Sequence, residues 1–151
     1  MGYIMNLRNK VGHIPIIGVG ATTIVFNSNN ELLLNLRSDT NTWGIPGGSK
    51  ELNETLEQCA IRELKEETNI NVNDLELITV LSGKEYYFKY PNEDELDCVI
   101  ALYKVLNYEG ELNINDDESK ELKFFPLNNL PELESRAKAI IDKIKSGIIK
   151  L

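Results

Sequence analysis

Between Gly48 and Ile70 the chain reads G-S-K-E-L-N-E-T-L-E-Q-C-A-I-R-E-L-K-E-E-T-N-I. Gly47-Gly48 follows Pro46 and marks a turn, because paired glycines reach backbone conformations closed to other residues. Asn53 suits a helix N-cap and Glu54 the positive end of the helix dipole, so a helix is expected from about residue 54 to residue 68. Asn69 suits the end of that helix, since asparagine commonly replaces glycine in a left-handed cap. Glu66 and Glu67 lie three and four residues beyond Glu63, so the three carboxylates share one helix face. Leu56, Cys59 and Ala60 fall on nearly the same arc, whereas an ordinary amphipathic helix sets its charges opposite its apolar stripe. Like charges on an inward-facing side repel one another and lose hydration unless a cation sits among them. A hard divalent ion with oxygen ligands, Mg²⁺ or Mn²⁺, resolves the conflict. A solvated glutamate-rich face explains neither the shared arc nor the placing of Arg62 and the diglycine.

Outside this stretch the sequence sets limits. A length of 151 residues suits one domain, 1–151, with a real hydrophobic core, and 42% apolar residues is ordinary for a globular chain. The net charge of −8 argues against nonspecific binding to nucleic acid or to an anionic membrane. An acidic protein still acts on phosphates when metal ions bridge the like charges. The first residues lack the apolar core of a signal peptide, and no apolar run is long enough to span a membrane. Cys59 and Cys98 are too few and too far apart for a disulfide framework or zinc knuckle, and read as reduced thiols of a cytoplasmic protein. The lone histidine, His13, reads as structural or surface. Gly18-Val19-Gly20 lacks the third glycine of a dinucleotide fingerprint, and Asn113–Phe124 lacks the glycine and final glutamate of an EF-hand.

The element order predicts an α/β fold. Ile14–Phe26 reads as a strand with a bend at Gly18 or Gly20, Asn27–Asn30 as a turn, and Glu31–Arg37 as a second strand. Leu75–Ser82 reads as a strand, and Glu85–Tyr90 pairs with Leu96–Leu106 across a turn at Pro91–Asp94. Leu122–Leu127 is a short last strand, and Pro131 opens a helix running to about Ile144 with Leu133, Ala137, Ile140, Ile141 and Ile144 on its core face.

Gly48, Glu54, Arg62, Glu63, Leu64, Glu66, Glu67 and Ile70 stand at the intervals of G-x5-E-x7-R-E-U-x-E-E-x-G-U, where U is apolar, with Asn69 in the place of the last glycine. This pattern resembles the signature of the Nudix hydrolases, and the resemblance extends to the W-G-I-P-G-G lead-in at Trp43–Gly48. It implies an α/β/α sandwich around a mixed β-sheet. It also implies an enzyme that uses Mg²⁺ or Mn²⁺ and water to cleave the diphosphate of a nucleoside diphosphate linked to another moiety X. By the same resemblance Glu66 and Glu67 are the leading metal ligands, with the Gly47 carbonyl completing a coordination sphere. Glu63 matches a residue that is a ligand in some members and the base in others, and Arg62 orients carboxylates such as Glu54 or Glu66. Glu118 is the chosen additional carboxylate from a loop, as ligand or catalytic group, with Glu121 its rival. The implied partner is a small-molecule nucleotide, with neither nucleic acid nor membrane, and a homodimer is compatible with the pattern. Non-catalytic, nucleotide-sensing Nudix modules form the alternative, although these usually lose a carboxylate that is present here.

The moiety X is less legible. Arg37 ends a strand near the lead-in and is a candidate for phosphate contact or for a surface salt bridge. Tyr86 and Phe88 are candidates for stacking on a base, yet alternation sends both to one face and Tyr87 to the other, which makes half the cluster core. The pattern of ADP-ribose enzymes places a proline where this chain has Tyr86, and Pro91 is displaced from it. Nucleotide sugars, ADP-ribose-like compounds and nucleoside triphosphates all stay open.

Overall fold

A computed structural model describes residues 2–151. Its longest strand organises the rest. β7 (Glu95–Glu109) lies parallel to β1 (Ile16–Ile24) along one edge, and pairs along the other with β6 (Tyr87–Lys89) and then β5 (Asn71–Leu81), both antiparallel. β4 (Gly47–Ser49) extends this mixed sheet beyond β1. A second, antiparallel sheet runs β3 (Trp43–Gly44), β2 (Glu31–Arg37), β8 (Ser119–Pro126). The two are joined where the Leu33 amide donates to the Val25 carbonyl.

Both faces of the large sheet are apolar, as burial on two sides demands. Ala101, Tyr103 and Val105 of β7 point to helix α2 (Leu56–Thr68), where they meet Cys59, Ala60, Leu64 and Ile70. The alternate residues Cys98, Ile100 and Leu102 point to helix α3 (Ser135–Lys145) and meet Ile140 and Ile141. The result is the α/β/α sandwich around a mixed sheet that the resemblance implied.

Several boundaries move for local reasons. Asn53 adopts a left-handed conformation (φ 64°) and does not cap the helix. Thr55 does, through a capping box in which its Oγ1 accepts from the Gln58 amide and the Gln58 side chain accepts from the Thr55 amide. Glu54 therefore lies in the turn before the helix. Asn69 ends α2 at φ 70°, the left-handed cap expected of it. β1 pairs with β7 without a register break, so Gly18 and Gly20 are not a bend. At Gly20 a Cβ would collide with the Gly48 carbonyl, so this glycine admits β4 at close range. α3 starts after Glu134, whose carboxylate accepts from the amides of Arg136 and Ala137, and Pro131 lies outside it. β6 pairs with β7 as expected, preceded by a short 3₁₀ turn at Lys84–Tyr86.

Three elements had no counterpart in the sequence reading: β3, β4, which holds the two glycines read as a turn, and the first helix. α1 (Tyr3–Val11) precedes β1 and buries only Arg8, so it shows no apolar stripe to find. Among the described residues no helix is long and apolar enough to cross a membrane.

Candidate active site

The diglycine brings the start of β4 against both β1 and α2. A Cβ at Gly47 would collide with the Ala21 carbonyl, and one at Gly48 with the Glu63 carboxylate. Glycine at position 48 thus lets a helix carboxylate lie directly on a strand backbone.

Arg62 gathers the carboxylates. Its Nε and Nη2 donate to the two oxygens of Glu54 at 2.6 and 2.9 Å, a bidentate pair. Nη1 donates to Glu63 at 2.9 Å and to Glu66 at 3.3 Å, and Nη2 also donates to the Ser49 carbonyl at 3.0 Å. Arg62 thus contacts both carboxylates named for it, Glu54 and Glu66, and Glu63 besides. The bond from Arg62 holds the Glu54 carboxyl down at about 2, against some opposition from burial. Glu63 goes the other way, up to about 7, because desolvation outweighs Arg62 and the nearby Glu66 and Glu118 add repulsion. Glu67 is 3% exposed and its carboxyl rises well above the usual range, through burial first and then through Glu63, Glu118 and Asp116. Its Oε2 has no hydrogen-bond partner among the described residues. Glu66 stands at the exposed rim, so the shared arc holds one deep, one half-covered and one solvent-facing glutamate.

Glu63, Glu67 and Glu118 line a chamber of about 760 Å³ together with Gly47, Arg62 and Arg37. Glu118 and Glu121 are both exposed, but Glu118 lines this chamber, where partial burial and Asp116 raise its carboxyl, while Glu121 sits on β8 opposite Leu36 and outside the chamber wall. Geometry thus favours Glu118 over its rival. Among the described residues no three His, Cys, Asp or Glu side chains form a ready-made ligand cluster. The donor set nevertheless fits a hard cation, because the buried Glu67 oxygen lacks a partner and every nearby acceptor is oxygen.

Of its two readings, Arg37 shows the salt bridge. It bonds Asp39 at 2.9 and 2.7 Å, and it also lines the chamber and an adjoining inner cavity of about 110 Å³. Tyr86 is corrected to core: it is 1% exposed and its hydroxyl accepts from Lys143 at 2.8 Å, leaving no ring face for a base. Phe88 is 8% exposed, with the Arg136 guanidinium 4.0 Å from its ring centroid, so it shapes the inner cavity from behind that arginine. The sequence reading passed over Arg136 and Glu134, which line the inner cavity together with Tyr90, the last residue of the aromatic run at 86–90. His13 lies at the surface, 2.7 Å from Asp94, a residue of the chamber wall.

Residues 17–144 match the NUDIX domain family. The chain belongs to the Nudix family. An ADP-ribose pyrophosphatase from Methanocaldococcus jannaschii is 35% identical over 72% of this Nudix chain and 62% of its own length. The chain thus spans about three fifths of that relative. Among solved structures, a MutT NUDIX hydrolase from Burkholderia pseudomallei superposes with a TM-score of 0.72 at 23% identity, covering 85% of this chain and 98% of that one. The NUDIX domain of Shewanella oneidensis NrtR, complexed with ADP ribose, gives 0.69 at 21% identity over 98% and 99%. These likenesses establish the fold.

Proposed function

We propose that this Nudix protein is a divalent-metal-dependent pyrophosphohydrolase that cleaves a nucleoside diphosphate linked to X, acting on a small nucleotide in the cytoplasm. The observation that carries the reading is the buried, unpartnered Glu67 carboxylate oxygen in a chamber lined by further glutamates. Glu66, Glu67, Glu118 and the Gly47 carbonyl would hold Mg²⁺ or Mn²⁺, and the ion would screen the diphosphate charge and acidify bound water. Glu63 is the proposed base. Its Oε1 is held by Arg62, and a carboxyl near 7 is matched to taking a proton at neutral pH. Water oxygen bonds to phosphorus, its proton passes to the Glu63 carboxylate, and the bridging P–O bond breaks with its electron pair leaving on the departing phosphate. Arg62 keeps Glu63 and Glu66 in register through its anchor on Glu54 and stays off the substrate. Arg37 is the proposed phosphate contact, and Arg136, seated on the Phe88 ring, lines the inner cavity beside it.

The M. jannaschii relative makes ADP-ribose the first compound to test. Release of the corresponding nucleoside monophosphate from ADP-ribose, nucleotide sugars or nucleoside triphosphates, present with Mg²⁺ or Mn²⁺ and abolished by EDTA, is expected. Inactivity across that panel, with tight binding of one nucleotide, would replace the enzyme with a sensing module.

A further inference from the structure

α1 stands over the reaction chamber, contributing Gly2, Ile4, Met5 and Arg8 to its wall. It is held chiefly at its two ends. At its start the Tyr3 amide donates to both oxygens of Glu51 at 3.0 and 3.1 Å, an anion at a helix N-terminus. Near its end Arg8 donates to the carbonyls of Gly12, Ile14 and Glu95 at 3.0, 2.6 and 2.6 Å and lies 3.7 Å from Asp94. Between these ties little is buried, with Tyr3 41% and Met5 50% exposed. A helix fastened by polar contacts with little core of its own opens locally at low cost.

Glu51 belongs to a second set of contacts. Its amide donates to Glu54 at 3.0 Å, and Glu54 is the carboxylate that clamps Arg62. A chain of bonds therefore runs from the start of α1 through Glu51, Glu54 and Arg62 to Glu63 and Glu66. Position 51 is one the box pattern leaves unspecified.

We propose that α1 is a movable wall that closes on the X moiety, and that Glu51 is the positioning residue tying the closed wall to the Arg62 clamp. The proposal rests on the hydrolase reading for its kinetics. The wall offers Ile4 and Met5 beside the polar side chains of Asn35, Ser38 and Asn92. Such a mixed surface fits a sugar-sized X, whose rings and hydroxyls it matches, better than a single phosphate. Closure excludes water and fixes the diphosphate against the glutamates.

The test pairs a physical readout with kinetics on the full chain. Hydrogen–deuterium exchange of α1 is measured with and without the α,β-methylene analogue of ADP-ribose plus Mg²⁺, in the wild type, Glu51→Ala and Glu51→Gln. Wild-type α1 amides are expected to slow at least about threefold with the analogue, and those of Glu51→Ala to show little change. Glu51→Ala should lower kcat/KM for ADP-ribose about tenfold more than for ATP, which shares the adenosine but carries phosphate as X. Glu51→Gln keeps an acceptor for the Tyr3 amide and should fall between. Absence of ligand-dependent protection in wild-type α1, or equal losses on both substrates, overturns the proposal. Protection without hydrolysis of either compound sinks the hydrolase reading and leaves the wall standing, whereas hydrolysis with unmoved α1 does the reverse.

Discussion

Replacing Glu67 by glutamine separates what this side chain does for folding from what it does for chemistry. The carboxylate is 3% exposed, its Oε2 has no hydrogen-bond partner among the described residues, and burial raises its pKa. A buried polar group without a partner costs about 1–3 kcal/mol, more when charged. Glutamine conserves the shape and removes the charge, so the metal-free variant should be more stable than the wild type by about 2 kcal/mol. For a chain of this size that is about 4–8 °C in Tm. The pH dependence has a definite sign. A carboxyl raised in the folded state contributes stability that is full below its ordinary value of 4.5 and is lost as pH rises through the higher folded value. The Tm gap between variant and wild type should therefore be small near pH 5 and widen toward pH 8.5. Magnesium should reverse the order. At about 100 times its Kd a ligand adds about 2.7 kcal/mol to the state that binds it, a gain the wild type should show and the variant should largely lose. Melting curves at pH 5 and 8.5, in EDTA and in Mg²⁺, read all of this, with turnover of ADP-ribose alongside. A Glu67→Gln protein less stable than wild type in EDTA at pH 8.5, or one retaining the magnesium shift and near-wild-type turnover, would refute the reasoning.

Arg62→Lys keeps a cation but loses the fork that grips Glu54, and kcat should fall at least about tenfold with KM less affected. Because Arg62 holds Glu54 down at about 2, wild-type stability from this pair is present above the ordinary 4.5 and lost as pH falls through 2. Discounted for solvent it is about 1–2 kcal/mol, and acid-unfolding curves should show Arg62→Lys losing part of it. Gly48→Ala drives a methyl into the Glu63 carboxylate, so turnover should drop at least about 100-fold and stability by about 1–3 kcal/mol. Steady-state rates and denaturant melts would show it, and an active, stable Gly48→Ala would disprove the close approach. Glu118→Gln should raise the Mg²⁺ concentration needed for half-maximal rate by about tenfold, while Glu121→Gln leaves the metal titration unchanged. Equal effects of the two would reopen the choice.

The two-layered burial of β7 was legible because strand alternation and helix periodicity are local properties of sequence. Helix limits were less so. Asn53 and Thr55 are both good caps in isolation, and the left-handed turn that admits Glu54 to Arg62 decides between them. Tyr86 and Phe88 read equally as core or as base platforms until α3 brings Lys143 to the first and Arg136 to the second.

By itself the sequence determined the family and the sandwich and singled out the candidate glutamates, because helix spacing alone puts Glu63, Glu66 and Glu67 on one arc. Tertiary structure decided what each glutamate experiences. Burial by β4 and by the loop before β8 sets Glu67 deep, Glu63 half-covered and Glu66 in solvent, and it brings Glu118 to them from across the chain. It also laid α1 over the chamber, an assembly of end contacts between residues far apart in sequence that no local pattern records.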